Sequence, residues 1–144
     1  MTLKPSLKTV LLSALALVPV VGVDGQGQGA PGSLTFFSAR SGNNEIYTAD
    51  PDGGRPFRIT EHSASDTDPA ISPNGRDVVF TSNRSGNNDI FVIGSAGGPA
   101  VNLTNHAAND GWARWAPDGW HIVFHSNRDG NFATPTFTCS TFTR

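Results

Sequence analysis

Apolar positions along this chain fall into two regimes. From Val10 to Val23 they form an almost unbroken run of 14 residues behind Lys4 and Lys8. After Val23 they come in short bursts, among them "DVVFTS" (Asp77–Ser82), "DIFVI" (Asp89–Ile93) and "HIVFHS" (His121–Ser126). Each burst is rich in β-branched or aromatic residues and bounded by Gly, Pro, Asn or Asp, and no 3.6-residue periodicity runs through them. That pattern predicts strands, not helices. Val78, Val79 and Phe80 are apolar at adjacent positions instead of alternating. Such a strand belongs in a sheet covered on both faces.

The bursts recur. Leu34–Asp77 aligns with Val78–His121 without a gap, and 16 of the 44 positions are identical. A third copy opens at Ile122 and matches the second at 7 of 10 positions through Asn131. A strand-rich repeat of this length is the mark of propeller blades, each a small four-stranded sheet. Within the repeat the punctuation separates the strands. "DPAIS" (Asp68–Ser72) and "WARWA" (Trp112–Ala116) precede turns built on Pro73–Asn74–Gly75 and Pro117–Asp118–Gly119, with residue order suited to type I geometry. A hairpin loop with Arg84 and Gly86, repeated as Arg128 and Gly130, follows the second strand. "AVNLT" (Ala100–Thr104) supplies the fourth strand.

The segments "ISPNGRDVVFTSNRSGNNDIFVIGSAGG" and "WAPDGWHIVFHSNRDGN" closely resemble the TolB-like β-propeller repeat family: a W-S-P-D-G turn, a strand ending F-x-S, an N-R-D-G-N turn and an E-I-Y strand. The resemblance spans Leu34 to Asn131. It implies that Pro73, Gly75, Pro117 and Gly119 hold the family turn, that Arg84, Gly86, Arg128 and Gly130 hold its hairpin, and that Asp66 and Asp110 precede the innermost strands. The departures are Ile71 and Ser72 where Trp-Ser is usual, Ala116 for Ser, and Gly94–Ala96 where an Asn- or Asp-rich turn is usual.

The expected fold is therefore all-β: a partial propeller of about two to two and a half four-stranded antiparallel blades, over 34–131 with repeats starting at 34, 78 and 122. One blade is complete (Asp66–Thr104), three strands of another lie at Ser33–Thr60, and two of the next at Gly111–Ser126. Family propellers are similar in having six blades, so an incomplete ring is expected. Residues 132–144 read as a divergent tail resembling a truncation or shifted frame, because Pro135 would interrupt a strand laid there. Open blade edges are expected to drive self-association.

Residues 1–23 have the layout of an export signal: a basic start, then an apolar run shorter than the ~20 residues that span a bilayer as a helix. A Gly/Gln/Pro-rich tether, 24–33, follows. The expectation is a periplasmic or secreted product with no membrane span after signal removal. From Val23 onward 8 Arg face 12 acidic residues with no basic cluster, which argues against nucleic acid as partner. Cys139 stands alone and cannot form an internal disulfide.

No G-x-S-x-G, H-E-x-x-H, C-x-x-C or phosphate loop occurs, so no catalytic residue, metal ligand or cofactor is expected. "GSAGG" (Gly94–Gly98) matches a repeat turn and reads as one. The recurrence that bears on function is "TEHSASD" against "TNHAAND", which sets His62 and His106, Asp66 and Asp110, in the loops entering each innermost strand. In a propeller such loops surround one mouth of the central channel, where they could face a partner or ligand. The competing reading gives each Asp to its own blade's turn and leaves each His packed or solvated. Three functions follow from the resemblance: an exported non-enzymatic module binding another envelope or secreted protein or peptide, the propeller of a prolyl-oligopeptidase-like hydrolase, or a saccharide-binding propeller.

Overall fold

The computed structural model describes residues 33–130 and the strand Thr138–Thr141. The expected export signal and most of the tether lie outside the described residues. Among the described residues, ten strands form three antiparallel sheets: β1 (Leu34–Ser38), β2 (Glu45–Ala49) and β3 (Phe57–Arg58); β4 (Asp66–Ile71), β5 (Asp77–Ser82), β6 (Asp89–Gly94) and β7 (Val101–Asn102); β8 (Asp110–Trp115), β9 (His121–Ser126) and β10 (Thr138–Thr141). Within each sheet the strands lie side by side in chain order. These are the blades of an open β-propeller, one of them with all four strands.

The turns fold as their residues dictate. Gly75 N–H donates to the Ser72 carbonyl at 2.9 Å, and Gly75 takes a φ of 73° that a side chain would resist. Gly119 repeats this on Ala116. Gly86 and Gly130 close the hairpins after β5 and β9 on the carbonyls of Asn83 and Asn127.

Alternate residues of the middle blade feed two separate cores. Val78, Phe80, Phe91 and Ile93 pack with Ile46 and Ile59 of the first blade. Val79, Ile90 and Val92 pack with Ala113, Ile122 and Phe124 of the third. The adjacent apolar residues of β5 thus have a physical reason: each face of the sheet is covered by a neighbouring sheet. Trp115 Nε1–H donates to the Ala70 carbonyl at 3.0 Å and pins the third blade to the second.

Two features differ from the sequence reading. The inner strands β4 and β8 start two residues earlier than "DPAIS" and "WARWA" suggest. Asp66 N–H is held by the Asn44 carbonyl and Asp110 N–H by the Asn88 carbonyl, each from the preceding blade. The third blade carries a third strand within 132–144, where the lapse of the repeat and Pro135 argued against one. β10 begins beyond Pro135 and pairs Thr138 with Phe124 through Thr141 with His121. The ladder needs only backbone groups there, so it forms without the side chains of the repeat.

Candidate functional site

The repeated hairpin arginines fold back onto their own blades. Arg84 Nη2–H donates to Asp66 Oδ2 at 2.7 Å, its Nε–H donates to Ser82 Oγ at 3.0 Å, and the guanidinium lies over the rings of Phe80 and Phe91. Arg128 does the same with Asp110 at 2.9 Å, Ser126 at 2.9 Å and the Phe124 ring. Asp66 and Asp110 are buried, at 0% and 1% exposure. A carboxylate so placed is expensive unless paired, and the arginine provides the pair. One oxygen of each, Oδ1, has no hydrogen-bond partner.

His62 and His106 are exposed and lie in the loops that enter β4 and β8. Each ring caps its own turn: the Ala64 N–H donates to His62 Nδ1 and the Ala108 N–H to His106 Nδ1, both at 2.9 Å. A neutral ring whose Nδ1 accepts carries its proton on Nε2. The four residues singled out from the repeat therefore separate into two exposed histidines and two buried, ion-paired aspartates. Among the described residues, no group of three or more His, Cys, Asp or Glu is placed to hold a metal ion.

What fixes these loops is a set of side chains that sequence reasoning passed over. Glu45 Oε2 accepts from the Thr60 hydroxyl at 2.6 Å and Oε1 from the His62 N–H at 2.9 Å. Asp89 performs the same task one blade on, accepting from Ser85, Asn102, Thr104 and the His106 N–H. Burial works against the charged form of Asp89, but those donors outweigh it and hold its carboxyl below the usual 3.8. Asn43 Nδ2 donates to the carbonyls of His62 and Ala64, and Asn87 Nδ2 to those of His106 and Ala108. The signal was present in the repeat: Asn43/Asn87 and Thr60/Thr104 are identical pairs, and Glu45/Asp89 is an acidic one.

The inner-strand entrances are also laced to the following hairpin. Ser65 N–H donates to Asn83 Oδ1 and Asn109 N–H to Asn127 Oδ1. The result is a loop face in which both histidines are presented on turns with little freedom to move.

The family model for the tricorn protease N-terminal β-propeller domain matches residues 33–140. Among curated proteins, a Tol-Pal system protein TolB from Geobacter sulfurreducens is 43% identical over 47 residues, covering 33% of this chain and 11% of that protein. The solved TolB structure from Acinetobacter baumannii matches with a TM-score of 0.61 at 25% identity, over 77% of this chain and 27% of its own. A solved structure described as a TolB from Agrobacterium tumefaciens matches with a TM-score of 0.62 at 30% identity, over 66% of this chain and 34% of its own. The chain thus spans about a tenth of the curated relative and between about a quarter and a third of the solved chains. Its blades are TolB-like, and the chain belongs to the family of the tricorn protease N-terminal β-propeller domain.

Proposed function

We propose that this chain is an exported, non-enzymatic binding module that holds another envelope or secreted protein, or a peptide from one, on the loop face carrying His62 and His106. The observation that carries this reading is the hydrogen-bonded bracing of that face. Glu45, Asp89, Asn43 and Asn87 tie the loops down before any partner arrives, so little ordering entropy is lost on association. The two histidines are exposed and recur at a spacing set by the blade repeat. The TolB-like relatives add weight, since the curated one is named as a Tol-Pal system protein. In this reading the product is periplasmic or secreted, and its open blade edges pair with a second copy when the partner is absent.

The test is site-specific photo-crosslinking in cells. A crosslinker at position 62 or 106 is expected to trap a protein adduct, while one at Asn74, in the turn joining β4 to β5, is not. Equal trapping at all three positions would remove the loop face from consideration. A second reading, in which the blades precede a peptidase, has the family's protease name in its favour. A hydrolase domain encoded in frame after Arg144 would support it.

A further inference from the structure

Between the second and third blades lies a cleft of about 360 Å³, lined by Thr67, Asp68, Thr81, Asn88, Asn109, Asp110, Gly111, Trp112 and His125. We propose that it is a binding site for a neutral saccharide of one or two rings, a function distinct from partner capture by the loops. Its volume lies within the range of about 300–1,000 Å³ that small-ligand sites occupy.

The backbone at this place is bent for a purpose. Both inner strands carry a β-bulge at the same repeat position, with the register slipping between Thr67 and Ala70 in β4 and between Gly111 and Arg114 in β8. The bulged residues, Asp68 and Trp112, sit at φ 52° and 54°. Positive φ is a strained setting for a bulky side chain, and a bulge re-aims the residue it carries. The device is shared by both blades, but its residue is not: one contributes a carboxylate to the cleft, the other an indole. Trp112 is 55% exposed, and its ring lies perpendicular to that of His125, with centroids 5.0 Å apart.

The floor of the cleft is polar and unsatisfied. Thr81 Oγ1 and Asp110 Oδ1 are buried without a hydrogen-bond partner, in residues only 5% and 1% exposed. Burying such groups unpaired is costly, and a ligand that pairs them recovers the cost. The charge of Asp110 is already matched by Arg128, so its free oxygen asks for a neutral donor. Thr81 asks for a group that gives or takes a proton, and the carboxamides of Asn88 and Asn109 offer both roles. Hydroxyls on a ring with an apolar C–H face meet all these requirements at once, with the indole as platform. Gly111 keeps the floor open. A Cβ there would meet the Thr81 side chain at 3.8 Å, and its repeat counterpart in the second blade is Thr67.

Two substitutions remove the site while respecting the fold. Gly111→Thr installs the residue the repeat itself uses at this position and covers Thr81. Trp112→Gly removes the platform and relaxes the positive φ. The full chain is titrated with maltose, cellobiose, N,N′-diacetylchitobiose and, as a cationic comparison, 1,5-diaminopentane. Binding is read from tryptophan fluorescence and saturation-transfer NMR, and folding from circular dichroism. At least one disaccharide is expected to bind saturably, with affinity falling by about tenfold or more in both variants while their β-sheet spectra persist. No saturable disaccharide binding, tighter binding of the diamine, or undiminished binding by Gly111→Thr would each overturn the proposal. Crosslinking at positions 62 and 106 is unaffected by either outcome, so the two readings fail separately.

Discussion

Strands β5 and β9 occupy the same place in successive repeats and are both paired on two sides, yet they differ in burial. All six residues of β5 are buried, whereas in β9 only Ile122, Phe124 and Ser126 are. Val79 faces the third blade and is fully buried; its counterpart Val123 faces away from the second blade and is half-buried. Val79 and Val123 are the same residue at the same place in the repeat, so here the difference is one of neighbours. A blade becomes a core only when a second blade covers each of its faces. The arginines teach the same lesson. Arg84 and Arg128 each reach a carboxylate on the inner strand of their own blade. Arg40 keeps its serine and its two rings but remains exposed, with no inner strand beside it among the described residues.

The sharpest way to break this comparison is to cut the covered core. Phe80→Ala is expected to cost about 3–5 kcal/mol in urea denaturation, because the ring is fully buried and stacked on Phe91. Phe36→Ala, at the matching place in the first blade, is expected to cost less than half as much. Equal losses would mean that blade position does not matter. Next comes the ion pair. Asp66→Ala strands Arg84 and is expected to cost about 3 kcal/mol, whereas Arg40→Ala is expected to cost about 1 kcal/mol or less. A smaller contrast comes from trimming one face. Val79→Ala should lose about 2 kcal/mol and Val123→Ala under about 1 kcal/mol, measured the same way.

The smallest effect is acid sensitivity. The carboxyl of Asp89 is lowered in the fold, so its stabilisation is fully present above 3.8 and is lost as pH falls through the lowered value. Asp89→Asn should therefore flatten the acid limb of the stability curve. An unchanged acid limb would show that the loop clamp does not depend on this charge.

Much of this was legible in the sequence, because a repeat exposes its own architecture. The adjacent apolar residues of β5 forecast two covered faces, and the bounds of β5 and β9 fell where the turn residues placed them. Other features could not be read. The early start of β4 depends on a carbonyl from the preceding blade, a contact between segments far apart in sequence. Strand β10 uses backbone pairing after the repeat has lapsed. The cleft escaped for a related reason. Asp68 and Trp112 share no chemistry, and what unites them is a bulge that belongs to the backbone. The loop clamps, by contrast, are visible as repeated Asn and Thr, but Asn is dense in turns for its own backbone reasons, which hides a side chain that reaches a loop 21 residues away.

Amide hydrogen exchange along β5 and β9 tests the stacking of blades most directly, since from Asp77 to Phe80 and from His121 to Phe124 both strands are paired on two sides and differ in the second covered face. Stacking predicts that the amides of Asp77–Phe80 exchange slower than those of His121–Phe124 by about tenfold or more. Equal exchange in the two strands would contradict it.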